Sequence, residues 1–161
     1  MLEQLDLYIN AQKTIANYML GFGLLMILLA VVLHFAGTHS LFYGMKIGLL
    51  LLGLFSAMSG YGYRKTEEKL LQNQTRLYRE DPSRFHQIEK ERMEKVVKNF
   101  PKIRLAFVAV IISLLIVIVV NKNSFVNGLL FSVIILLMGN TIIETVSKPS
   151  IDRYYEQLSD F

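Results

Sequence analysis

Apolar and charged residues are separated into long blocks along this chain. Four stretches without a charged residue cover positions 14–33, 47–63, 105–121 and 123–143, and a charged segment at 64–104 divides the second from the third. A bilayer core of about 30 Å needs about 20 mainly apolar residues at a helical rise of ~1.5 Å per residue. Each stretch reaches or approaches that length, so the pattern predicts an integral membrane protein with four spans.

The spans are expected to be helices, because backbone amides in hydrocarbon must bond internally and the alternating pattern of barrel strands is missing. The predicted fold class is an all-α integral membrane protein, with four transmembrane helices as two hairpins and a cytoplasmic helical hairpin between spans 2 and 3. Its predicted parts are an amphipathic N-terminus with transmembrane hairpin 1 (1–63), a charged cytoplasmic hairpin (64–102), transmembrane hairpin 2 (103–147) and an amphipathic cytoplasmic tail (148–161).

The distribution of positive charge predicts the orientation. Of the 17 Lys and Arg residues, 12 lie at 64–104, and the positive-inside rule places that segment in the cytoplasm. With four spans, the N- and C-termini share that side. Seven acidic residues are mixed with the basic ones, and no aromatic residues alternate with them as a nucleic-acid site would require. The bilayer is therefore an expected partner, and nucleic acid is not.

The charged segment predicts two helices that meet at a proline. From Arg64 to Asp81 there is no Gly or Pro, so the second span should continue as a helix beyond the membrane. Asp81 before Pro82 is a stop and restart signal, because the residue before proline resists the helical region and proline is tolerated in a first turn. A second helix is expected from about Ser83 to Phe100.

Apolar residues recur at spacings of three and four on this second helix, which predicts one apolar stripe with Glu89 and other charged residues on the remaining faces. One interpretation packs the stripe onto the preceding helix, at Leu70, Leu71, Leu77 and Tyr78. The other docks it on another protein or on the inner leaflet. The predicted partner-binding residues are Phe85, Ile88, Arg92, Met93, Lys95, Val96 and Lys98.

Both ends of the chain are amphipathic and are expected to pack onto the central hairpin. The N-terminal face consists of Leu2, Leu5, Tyr8 and Ile9. At the other end, Ser150 is expected to cap a short helix after Pro149. The apolar side of that helix consists of Ile151, Tyr154, Tyr155 and Leu158.

Three polar residues inside the spans are candidates for function, since polar groups in lipid are costly. Lys46 lies near the outer end of the second span, from which its stem can reach the headgroups. Asn140 and Glu144 stand four apart, hence on one helical face. They are expected either to bond Asn17, Arg64 or Arg104 as a structural link, or to form a cation or proton site around Glu144.

Small residues four positions apart predict close helix contacts. Gly44 with Gly48 and Ser56 with Gly60 permit such contacts within the bundle or between copies of the chain. A homo-oligomer therefore stays open.

Catalysis, cofactors and metal binding are not expected. Cysteine is absent, the histidines at 34, 39 and 86 are scattered, and no nucleophile, zinc or phosphate-loop motif occurs. The sequence predicts a protein that is not an enzyme.

The segment Glu91–Phe100, ERMEKVVKNF, precedes the third span and resembles a cytoplasmic segment of small uncharacterised bacterial four-span membrane proteins. The overall plan is also similar to that of membrane immunity proteins. These resemblances imply a bacterial inner-membrane location and a non-catalytic role in protein–protein interaction, such as toxin immunity or accessory function in a membrane complex. Neither resemblance assigns a site residue. The alternative is a small oligomeric ion channel or transporter, for which Asn140, Glu144 and the glycine pairs argue; an envelope sensor ranks last.

Overall fold

Four long α-helices make up the chain in a computed structural model, which describes residues 1–37 and 39–159. They are α1 (Leu2–Ala36), α2 (Ser40–Glu80), α3 (Pro82–Val120) and α4 (Ser124–Ser159). Each is long and apolar enough to cross a membrane by length and composition. The predicted all-α class is confirmed.

The junction between α2 and α3 has the predicted form. α2 continues without a break to Glu80, and Asp81 takes an extended conformation (φ −151°) before Pro82 opens α3. The Asp81 carboxylate accepts a hydrogen bond from the backbone N–H of Arg84 at 2.9 Å. One residue thus ends one helix and caps the next.

Two prolines lie inside helices, where the sequence predicted boundaries. α3 continues from Phe100 through Pro101 to Val120, and α4 continues through Pro149. The predicted short helix capped by Ser150 is wrong, because the Ser150 hydroxyl instead donates to the Ser147 carbonyl at 2.8 Å inside a continuous helix. An interior proline costs about 3 kcal/mol, and the contacts of Phe100 and Ile151 with the core, one beside each proline, oppose that cost.

Packing differs between two parts of the bundle. We call 1–13, 64–102 and 148–159 the charged half, and 14–36, 40–63, 103–120 and 124–147 the apolar half. In the charged half, all four helices enclose one core. Its fully buried side chains include Leu5, Ile9, Phe85, Met93, Tyr154 and Leu158. Both chain ends therefore pack onto the central segment, as expected, and Leu70, Leu71, Leu77 and Tyr78 of α2 contact the same core.

In the apolar half, small residues bring α1, α2 and α4 close together. A Cβ atom on Gly44 would overlap the Phe125 carbonyl oxygen of α4, and one on Gly48 would lie 2.7 Å from Cβ of Ser132. On the α1 side, a Cβ on Gly60 would lie 2.7 Å from the Ala16 carbonyl oxygen, and the Ser56 hydroxyl donates to the Met19 carbonyl at 3.1 Å. Both small-residue pairs are occupied by contacts within one chain.

α3 is peripheral in the apolar half. None of its residues from 103 to 120 is buried. The half-buried ones recur at spacings of three and four, which forms one narrow contact stripe: Phe107, Ile111, Leu114 and Ile118. α3 contacts α4 and α2, whereas no Cα atom of α1 approaches one of α3 within 8 Å among the described residues.

Candidate functional site

A cavity of about 560 Å³ lies between the two halves and is lined by all four helices. It occurs where the close glycine contacts of the apolar half give way to the larger side chains of the charged core. Its volume is in the range of small-molecule sites. Apolar walls are supplied by Ile15, Met19, Val96, Phe100, Ile103, Phe107, Ile143 and Ile151. Polar groups are supplied by Tyr8, Gln12, Tyr63, Glu67, Arg92, Asn140, Glu144 and Ser147.

An ion pair between a buried carboxylate and a half-buried guanidinium lies at the charged end of the cavity. Glu89 is fully buried and accepts two hydrogen bonds from Arg92, one from Nε at 2.8 Å and one from Nη2 at 2.6 Å. The Tyr154 hydroxyl donates to the same carboxylate at 3.2 Å. The expectation that Glu89 lies on an outer charged face is therefore wrong. Its spacing of three from Arg92 puts both on one face, and that face is turned toward α4.

Two tyrosine rings complete this cluster. Tyr8 and Tyr154 stack with ring centroids 4.6 Å apart, and the Arg92 guanidinium lies 5.6 Å from the Tyr8 ring centroid. Burial raises the pKa of the Tyr154 hydroxyl, and the negative charge of Glu89 raises it further. Burial alone would lower the pKa of Arg92, but its bonds to Glu89 outweigh that effect and raise it. Through these contacts Glu89 and Arg92 of α3 connect to Tyr154 of α4 and Tyr8 of α1, so the cluster joins three helices.

A chain of hydrogen bonds joins three helices along one cavity wall. The Tyr63 hydroxyl donates to Gln12 Oε1 at 3.1 Å, and Gln12 Nε2 donates to Ser150 Oγ at 3.3 Å. These polar groups are satisfied without a ligand.

Two carboxylates on the cavity wall are not satisfied in this way. Glu67 is only 5% exposed, and its Oε2 atom has no hydrogen-bond partner among the described residues; the same holds for Oε2 of Glu144. Burial raises the pKa of Glu67, and the nearby Tyr63 hydroxyl and Arg92 guanidinium only partly oppose that shift. A buried carboxylate oxygen without a hydrogen-bond partner is costly unless the group is protonated or neutralised by a cation.

Replacing Glu67 with glutamine is expected to stabilise the protein at neutral pH. Because folding raises the pKa of Glu67, protonated Glu67 contributes stability at a pH below its pKa in the unfolded state. That contribution is lost as the pH rises through its pKa in the folded state. Each unit of difference between the two pKa values corresponds to about 1.4 kcal/mol. The unfolding temperature of the variant should therefore rise relative to that of wild type between about pH 4.5 and about pH 7.5.

The control for this prediction is Glu68→Gln, on the neighbouring position of α2. Glu68 forms a surface ion pair with Arg64 at 3.5 Å, so its removal should produce no comparable gain. If both variants responded alike to pH, Glu67 would not carry an unfavourable buried charge.

The predicted partner-binding residues have different environments. Phe85 and Met93 are fully buried in the core of this chain, so the apolar stripe packs on its own bundle there. Arg92 and Val96 line the cavity. The remaining three are exposed: Ile88, Lys95 and Lys98. A protein partner stays a prediction, with a smaller surface than the sequence suggested.

The predicted intramembrane polar residues fall at opposite ends of the apolar half. Lys46 Nζ lies 3.4 Å from His34 Nδ1, far from the cavity along α2. Asn140 and Glu144 both line the cavity. The bonds expected between these two residues and Asn17 or Arg64 do not form, because Arg64 Nη1 donates to Asn17 itself, at 3.5 Å.

No protein-family model, curated protein or solved structure matches this chain.

Proposed function

We propose that this chain is an integral membrane protein that binds an amphiphilic molecule in its cavity without transforming it. Large apolar side chains such as Leu28, Phe55 and Val119 are more than half exposed, and acyl chains would cover them. The charged half, which holds most of the basic residues, would lie in the cytoplasm with both termini. The cavity then lies at the level of the inner headgroups.

The observation that carries the proposal is the position of the cavity beside α3. Val96, Phe100 and Ile103 line both the cavity and a groove of about 580 Å³ on the surface of α3. A molecule from the inner leaflet would therefore reach the cavity by passing α3. In the apolar half, α3 is held only by its narrow stripe of half-buried side chains. Apolar walls suit its chain, and the polar groups nearer the charged half suit its head.

Binding is favoured over conduction because the polar groups do not continue across the apolar half. Three serine hydroxyls of this half bond to backbone carbonyls: Ser56 to Met19, Ser113 to Ala109, and Ser132 to Met45 or Gly128. A conducting pore needs polar groups that face a continuous path. Here they are used inside and between helices.

The absence of native cysteine gives a direct test. Ile143→Cys places a thiol on the cavity wall. Ile134→Cys places a thiol on the same helix but outside the cavity. The two positions are similarly buried, since the isoleucines are 9% and 6% exposed. In nanodiscs, a dodecyl maleimide should label Cys at 143 at least about tenfold faster than at 134, because thiol reactivity follows access.

Equal, slow labelling at both positions would show that amphiphiles do not enter the cavity. Denatured samples of the two variants should label at the same rate, which controls for intrinsic reactivity.

A further inference from the structure

We propose that the ligand of the cavity carries an organic cation, and that the carboxylates of Glu67 on α2 and Glu144 on α4 hold it. This inference rests on the proposed amphiphile binding and specifies the charge of the bound molecule.

The first step is the environment of Glu67. Its side chain is buried at the cytoplasmic end of the cavity wall on α2, with Oε2 unpartnered. The nearest cations, Arg92 of α3 and Lys13 of α1, act on it only through space. Arg92 donates its hydrogen bonds elsewhere, two to Glu89 and one to the Met93 sulfur. No resident side chain neutralises this carboxylate by direct contact.

The second step is that α4 contributes a matching group. Glu144 lines the same cavity and also has an unpartnered Oε2 atom. Arg104 of α3 acts on it electrostatically but forms no ion pair with it in the described part of the chain. Two carboxylates, each with one unpartnered oxygen, on one mainly apolar cavity provide recognition of positive charge.

The residues of the cavity suit an organic cation better than a metal ion. Described residues contain no group of three or more His, Cys, Asp or Glu side chains arranged for a metal ion, and two carboxylates in an apolar cavity are a poor set for a hard cation. Aromatic rings do line the cavity, from Tyr8, Tyr63, Phe100 and Phe107. Rings beside carboxylates are the environment that alkylammonium groups prefer.

The experiment uses protection of Ile143→Cys from maleimide by amphiphiles of equal chain length. In discs of phosphatidylglycerol, dodecyltrimethylammonium should protect at concentrations at least about tenfold lower than neutral dodecanol or anionic dodecanoate, since tenfold corresponds to the modest gain of one partly screened ion pair. Equal protection by the three compounds would overturn the cationic assignment while leaving amphiphile binding intact. Failure of every amphiphile to label or protect would instead remove the proposed function.

Variants identify the residues. Glu67→Gln and Glu144→Gln, each in the Ile143→Cys background, should lose most of the preference for the ammonium compound. Glu68→Gln, which changes the charge of a neighbouring residue outside the cavity, should keep it. An unchanged preference in both cavity variants would contradict the proposal.

The lipid composition of the discs distinguishes two sources of the cation, a lipid headgroup and a soluble amphiphile. Discs that contain phosphatidylethanolamine should slow labelling without added probe if the ammonium of a lipid headgroup occupies the site. Unaltered labelling in those discs, with protection by the added ammonium compound, would indicate a soluble amphiphile instead. Both results support an organic cation.

Protection should also depend on pH. The ionised Glu67 binds a cation better than the neutral acid does, so protection by the ammonium compound should weaken as pH falls. The groups that act on Glu67 are Tyr63 of α2, Arg92 and Glu89 of α3, and Lys13 of α1. The response would therefore report on the ionisation of the Glu67 carboxylate. Protection that did not change with pH would contradict a role for Glu67.

Discussion

Replacing Arg92 with methionine is expected to destabilise the folded protein by about 3–5 kcal/mol, the usual cost of removing one partner of a buried ion pair. The variant leaves the Glu89 carboxylate fully buried with only the Tyr154 hydroxyl as a donor at 3.2 Å. Thermal unfolding in detergent measures the effect, at roughly 2–4 °C per kcal/mol for a chain of this size.

The matched control lies one helical turn away on α3. Lys95 and Glu91 form an ion pair at 2.7 Å whose side chains are 70% and 64% exposed. Water solvates Glu91 when its partner is lost, so Lys95→Met should change the unfolding temperature little. The contrast separates the consequence of burial from the loss of a positive charge on α3.

Removing both Glu89 and Arg92 should recover much of the stability that is lost when Arg92 alone is replaced. In Glu89→Leu with Arg92→Met, no charge is left buried, and pairs replaced by apolar groups are often neutral or stabilising. If Arg92→Met alone proved as stable as wild type, Glu89 would be protonated or solvated, and the core of the charged half would differ from that described here.

The helices and their main junction could be predicted because their signals are local. Long uncharged stretches, a segment without Gly or Pro, and Asp81 before Pro82 each act over one or two turns. The continuation of α3 through Pro101 and of α4 through Pro149 was not predicted, because proline locally favours the end of a helix. Tertiary packing decides against that preference here, with Phe100 contacting the core just before Pro101 and Ile151 just after Pro149.

Asn140, Glu144 and Arg92 were named as candidates from the sequence. Glu67 was not, because charge in the segment 64–104 was taken to mean contact with solvent. On α2, a spacing of three and four connects Gly60, Tyr63, Glu67, Leu70, Gln74 and Leu77. This stripe faces the bundle, and both Glu67 and Gln74 are buried on it. The pattern was present in the sequence, but two polar members interrupt its apolar character. The periodicity of small and apolar neighbours is the signal that could have identified them.

The position of α3 could not be obtained from the sequence at all. Its span is the most apolar of the four, with a mean hydropathy of 3.1 over its best window, yet none of that window is buried. Hydropathy reports suitability for lipid and not contact with other helices. The contacts of α1, α2 and α4 follow instead from small residues, and α3 has no glycine.

Gly44→Ala is expected to destabilise the protein by about 1–3 kcal/mol or more, because the added methyl overlaps backbone and cannot be relieved by rotating a side chain. Its Cβ would meet the Phe125 carbonyl oxygen, so α2 and α4 would have to separate. The matched control is Gly62→Ala on the same helix, where no atom other than those of the adjoining residues and the backbone of α2 lies within 4 Å of the new Cβ.

Alanine in a helix is intrinsically favoured over glycine by roughly 0.5–1 kcal/mol, so the two substitutions should shift unfolding in opposite directions. Because Gly44 contacts α4 of its own chain, the size of the purified particle should stay the same while stability falls. A smaller particle with unchanged stability would instead assign Gly44 to a contact between copies. The sign of the stability change therefore tests the contact between α2 and α4.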